Sequence, residues 1–258
     1  MKKGRSLGSA FLWVLLFIGV QILITVAVAA GSIFSGGGGD ITSIISDTVP
    51  TVLVLSSIAT VALALLITKL SGGNMKGRLG LGKPSAAGIA VPLLFGAAMA
   101  PLTGRIIELI PIPDSVFGDY EQLMDTAVTD SAASTAAIII LAPLCEELIF
   151  RGAVFSALKK SFSKTFSVLF TAFLFGLVHL NPIQSSYAFL LGIILCLIRV
   201  CFDSLWASIS AHIAFNLVGG YVDITVMSNT AQTVLIIGCA AAAAALAVWM
   251  FFNKKRKA

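Results

Sequence analysis

Six side chains able to do acid–base or hydrogen-bond chemistry stand inside otherwise apolar stretches of this chain. Glu146, Glu147 and Arg151 share one stretch, His179 closes a second, and His212 and Asn216 share a third. His179 and His212 are the only histidines among the 258 residues. An ionisable group held in hydrocarbon costs roughly 2.5–3.5 kcal/mol even on lenient insertion scales. Keeping such groups in three separate segments points to their use together.

The spacing says what that use is. Glu147 and Arg151 are four apart and share a helical face, with the acid on the favoured N-terminal side. That pair neutralises one carboxylate and leaves Glu146, about 100° round the helix, free for other work. A cluster that serves packing alone accounts for Glu147 and Arg151 but leaves Glu146 without a partner. Phe175 and His179 are also four apart, as are His212 and Asn216. Glu146 can act as general base on a water, and a neutral histidine beside it can orient that water or take its proton. A second imidazole and an amide N–H can stabilise the oxyanion of a tetrahedral intermediate. Together these groups suit hydrolysis of a peptide bond by activated water. Ser208 and Ser210, near His212, lie in no recognisable nucleophile motif. A zinc ion held by the two histidines and a glutamate is the alternative use of the same side chains. The His-Glu-x-x-His helix that usually does this is absent, and no metal or other cofactor is expected.

The elements that must hold these residues are membrane helices. The chain is 58% hydrophobic and 11% charged, with mean hydropathy +1.01, whereas soluble domains carry about 25% charged residues. Long continuous apolar runs favour helices over a barrel, whose strands alternate. The expected fold is all-α, a single transmembrane domain over residues 1–258. Eight segments are expected: Ala10–Ala30, Thr48–Leu70, Pro84–Thr103, Ser134–Leu158, Thr165–Leu180, Ile183–Val200, Leu205–Met227 and Thr233–Phe252. With that count, 15 of the 17 basic residues fall on one side, leaving only Arg105 and Arg151. Asp40, Asp47, Glu108, Asp114, Asp119, Glu121, Asp125, Asp130 and Asp223 fall on the other. The positive-inside rule then places both termini in the cytoplasm.

Several other features are read as structural. The first segment could be a secretory signal ending at Ala27-Val28-Ala29, but its apolar run exceeds the usual 7–15 residues, so a retained helix is expected. Gly36–Gly39 makes a flexible outer loop. The longest outer loop, about Gly104 to Ala133, contains Ile-Pro-Ile-Pro at Ile110–Pro113 and is expected to include an interfacial amphipathic stretch. Ala240–Ala245 suits close helix packing. Cys145, Cys196, Cys201 and Cys239 read as small buried hydrophobes. The net charge of +5 sits at segment ends, where it meets the lipid bilayer and its anionic headgroups; no nucleic-acid partner is implied. With no internal repeat and no continuous polar path, a proton-coupled transporter is disfavoured.

Three motifs carry a resemblance. Glu146-Glu147-Leu148-Ile149-Phe150-Arg151 fits Glu-Glu-x-x-x-Arg, Phe175–His179 fits Phe-x-x-x-His, and His212–Asn216 fits His-x-x-x-Asn. In that order they resemble the CPBP family of CAAX proteases and bacteriocin-processing enzymes, intramembrane glutamic endopeptidases. The resemblance covers about residues 134–219, which it marks as the catalytic core. It implies that Glu146 activates water beside His179, that His212 and Asn216 form the oxyanion pocket, and that Glu147, Arg151 and Phe175 support the site without a metal. It implies a membrane-embedded or lipid-anchored protein or peptide as substrate. The basic, compact chain with short loops makes a bacterial plasma membrane the expected location. A non-proteolytic bacteriocin-immunity or peptide-binding membrane protein is the alternative. His179 lies about 22 Å from Lys164 at 1.5 Å per residue, in the outer half of the membrane, so a cytoplasm-facing site would need a deep cavity or a tilted helix.

Overall fold

In the computed structural model the described residues are 2–35, 41–72, 74–127, 132–222, 224 and 226–255, and all regular structure among them is helical. Gly36–Gly39, Asp40, Asp130, Asp223, Arg256 and Lys257, which figure in the loop assignments above, lie outside them, as do the side chains of Asp47, Asp125, Lys254 and Lys255. The helices are α1 (Lys2–Phe34), α2 (Ile41–Leu70), α3 (Met75–Leu79), α4 (Ala87–Leu109) and α5 (Asp114–Ala127). A continuous rod over 132–158 follows as α6. The rest are α7 (Lys164–Leu177), α8 (Pro182–Phe202), α9 (Leu205–Tyr221) and α10 (Asn229–Lys255).

Among the described residues five helices are long and apolar enough to cross a membrane: α1, α2 from Thr48, α4, α8 and α10 up to Met250. The motif-bearing elements are not among these five. α7 has 14 residues, α9 has 17, and α6 is interrupted by two π-helical segments, Ala137–Leu141 and Leu148–Val154. The expected eight segments are all helical, with shifted ends. α4 runs six residues past Thr103, and α9 stops at Tyr221 rather than Met227. The expected amphipathic stretch is the separate helix α5.

The largest correction is at His179. It was expected inside a helix ending at Leu180, but α7 ends at Leu177 and His179 lies in the turn beyond. Leu180 takes a left-handed φ of 57°, and Pro182 bars Asn181 from the helical region. Asn181 then caps α8, its Oδ1 accepting from the N–H groups of Ile183 and Gln184 with Pro182 in the first turn. Gly176 makes the turn compact, because a Cβ there would come within 2.7 Å of the Ser185 carbonyl oxygen. Gly96 does the same between α4 and α9, where any Cβ would collide with the carbonyl of Ala211, next to His212.

The two ends of the bundle differ. One end joins the start of α1 to the α6–α7 turn, where Ser6 Oγ donates to Ser161 Oγ at 2.9 Å and Lys3 lies over the Phe162 ring. At this end Leu205 N–H also donates to the Gly80 carbonyl, and Ser204 Oγ to that of Gly82. Arg199, expected beside a loop, is in the last turn of α8, buried against Gly80 with Nη1 on Asp203 Oδ1 at 3.0 Å. The other end carries α5, the last turns of α4 and α9, and the α7–α8 turn. There Tyr221 donates to Thr135 Oγ1 at 3.0 Å.

Candidate active site

The first π segment of α6 prepares one side of the site. In its i→i+5 register Ala142 N–H reaches the Ala137 carbonyl. The next carbonyl, Ile138, would need a donor from position 143, but Pro143 has no N–H. Asn216 Nδ2 supplies the bond from α9 at 3.1 Å. This leaves the second amide hydrogen of Asn216 uncommitted at the wall of a cavity it lines.

Glu146 and Glu147 end the intervening α-helical stretch, and Arg151 lies in the second π segment. Glu147 and Arg151 are fully buried, with Arg151 Nη1 donating to Glu147 Oε1 at 2.6 Å. Arg151 also donates from Nη2 to the Gly192 carbonyl at 3.3 Å, and its guanidinium covers the Phe175 ring at 4.2 Å. A buried ion pair holds only with such supplementary bonds, because desolvation otherwise outweighs the attraction. His212 Nδ1 lies 3.1 Å from the same Glu147 Oε1. A carboxylate can only accept, so Nδ1 carries the hydrogen. His212 Nε2 therefore faces outward, 3.7 Å from Glu146 Oε2. Glu146, unlike its neighbour, keeps 19% of its side chain exposed, toward the cavity.

The same logic fixes His179. Its Nδ1 is 2.7 Å from the Phe175 carbonyl oxygen, an acceptor, so the ring donates there and Nε2 is left as a lone-pair base. Phe175 meets both imidazoles edge-on, with centroids 5.0 Å from His179 and 5.8 Å from His212, and its ring also meets Phe150 and Arg151. It is the packing centre that holds two rings, one from the turn after α7 and one from α9, toward one space.

That space is a cavity of about 310 Å³. Glu146, His179, His212, Asn216 and Phe175 all line it, whereas Glu147 and Arg151 stand behind the wall. Gln184 and Tyr187 of α8 and Tyr120 and Met124 of α5 also line it. Tyr120 meets Tyr187 edge-on at 6.4 Å. Sequence reasoning did not single out these four. A polar Gln184 and Tyr187 three residues apart on an apolar helix were the available sign; nothing in the sequence attached α5 to the site. A second, apolar cavity of about 550 Å³ shares Thr103, Ile107, Tyr187, Leu191 and Phe215 with the first. Among the described residues no three His, Cys, Asp or Glu side chains are grouped to hold a metal ion.

Residues 129–218, roughly a third of the chain, match the family model described as Type II CAAX prenyl endopeptidase Rce1-like. No curated protein and no solved structure gives a significant match.

Proposed function

We propose, from the premise that the chain belongs through residues 129–218 to the CAAX-protease (CPBP) family, that it is a glutamate-dependent intramembrane endopeptidase acting without a catalytic metal. Glu146 removes a proton from a water held between its carboxylate and His179 Nε2. The resulting hydroxide attacks the carbonyl carbon of the scissile bond, and the oxygen takes the negative charge. Asn216 meets that oxyanion with its free amide hydrogen. His212 does so from Nε2 in its doubly protonated form, since its Nδ1 hydrogen is committed to Glu147. The intermediate collapses as the proton on Glu146 passes to the leaving nitrogen, which departs as an amine. Arg151 and Glu147 hold His212 in register, the role that a buried carboxylate plays behind a catalytic imidazole.

The observation that carries this reading is the division of labour between adjacent acids: Glu147 is buried with its Oε1 shared by Arg151 and His212, while Glu146 faces the cavity. The substrate is a membrane-embedded or lipid-anchored protein or peptide. The test compares membrane and secreted peptides from cells making the wild-type protein with those from cells making Glu146→Gln. New termini present only with the wild type support the reading. Identical peptide profiles from two equally inserted proteins reject it. Cleavage by purified protein that survives exhaustive chelation supports the metal-free mechanism, and loss that is restored by zinc rejects it.

A further inference from the structure

The cavity sits toward one end of the bundle. Its lining includes Thr103 and Ile107 near the end of α4, Gln184 at the start of α8, Gly220 at the end of α9, and Tyr120 and Met124 of α5. All of these belong to the end of the bundle that carries α5. α7 rises about 20 Å from Lys164 to Leu177 at 1.5 Å per residue, in a hydrocarbon layer of about 30 Å, so the turn that holds His179 lies beyond the midplane as measured from the lysine-bearing end.

Charge tells the two ends apart. The lysine-bearing end holds eleven described basic side chains: Lys2, Lys3, Arg5, Lys69, Lys76, Arg78, Lys83, Lys159, Lys160, Lys164 and Arg199. The cavity end holds one, Arg105, among the described residues, beside Glu108, Asp114, Asp119 and Glu121. An excess of Lys and Arg in short loops fixes the cytoplasmic side, and acids contribute little. The eleven-to-one division therefore orients the molecule with the cavity facing away from the cytoplasm.

We infer that the catalytic cavity opens to the non-cytoplasmic face and takes an apolar, uncharged segment of a membrane-anchored peptide presented from that side, rather than the cytoplasmic C-terminus of a lipidated protein. The cleavage step rests on the endopeptidase reading above; the direction in which the cavity opens does not. The cavity wall is mainly apolar, with Leu53, Ile107, Met124, Ile138 and Leu191 beside Glu146. A neutral segment fits that wall, and the adjoining apolar cavity gives room for its hydrocarbon part next to the scissile bond.

The test uses the full chain in intact cells with half-buried Cys201 and Cys239 changed to alanine and buried Cys145 and Cys196 retained. Gln184→Cys in the cavity lining, Asp119→Cys on α5 and Lys160→Cys at the opposite end are treated in turn with a membrane-impermeant sulfonated maleimide. The expected result is external labelling at 184 and 119, with labelling at 160 only after permeabilisation. Labelling at 160 in intact cells, with 119 and 184 protected, overturns the inference. The 119 probe decides the matter if the 184 variant does not accumulate. In parallel, two single-span reporters carry the same uncharged apolar juxtamembrane segment either outside or inside the cell. The outward one should be cut at least ten-fold more than the inward one, and preference for the inward one overturns the inference. Correct labelling with both reporters cut no more than by Glu146→Gln would reject the peptidase reading and its substrate while leaving the orientation in place.

Discussion

The middle of α6 and the whole of α10 are both apolar helix, yet they obey different rules. From Glu147 to Leu158 every residue of α6 is buried, including an arginine and a glutamate. Along α10 only Ala243 and Met250 are buried among the described side chains, and Ile237 and Val234 are each 64% exposed to the surroundings of the bundle. In α10 a side chain needs only to be apolar, since lipid tails accept any hydrocarbon shape. In α6 a buried polar atom without a partner costs about 1–3 kcal/mol and an unmet charge more; Arg151 Nη1 is paired with Glu147 Oε1, whereas Glu147 Oε2, Arg151 Nε and Ser156 Oγ have no hydrogen-bond partner among the described residues. The candidate catalytic glutamates are lodged in the region where the local constraints are tightest.

Breaking the pair in α6 should have the largest effect. Arg151→Leu leaves Glu147 as a buried charge without its cation and removes the cover over Phe175, so we expect a loss of about 3–5 kcal/mol of stability. Thermal unfolding in detergent measures it; an unchanged midpoint would show that Glu147 does not depend on Arg151. Asn216→Ala should reduce turnover about 10²–10³-fold, the usual effect of losing one oxyanion donor, and should leave the Ile138 carbonyl unmet. Pro143→Ala in the same chain restores an N–H at the position that the carbonyl lacks. The double variant is expected to regain stability but not turnover, which separates the two roles of Asn216. The smallest effect belongs to α10: Ile237→Ala should change stability by no more than about 0.5 kcal/mol, as substitutions away from specific contacts do. A large loss there would erase the contrast between the two helices.

The same contrast explains what could be read from the sequence. Hydropathy alone located every long helix, because lipid exposure is a property of composition. The fourfold spacings placed Glu147 with Arg151 on one face and left Glu146 apart, and the structure has that arrangement. What escaped depends on contacts between elements. The end of α7 before His179 is set by Leu180 and Pro182 acting with the Gly176–Ser185 approach. The π register of α6 is stabilised from outside by Asn216, a partner 78 residues away in sequence. Tyr120 and Met124 reach the cavity because α5 folds back over α2 and α8, which no local pattern states.

The central claim is that two adjacent glutamates do different jobs, and one paired measurement addresses it: turnover and unfolding temperature of purified Glu146→Gln beside Glu147→Gln on a cleaved substrate. The account predicts that Glu146→Gln loses at least about 10²-fold in turnover with its unfolding temperature kept, and that Glu147→Gln unfolds at a clearly lower temperature because Arg151 is left unpaired. Full turnover by a well-folded Glu146→Gln protein would contradict it.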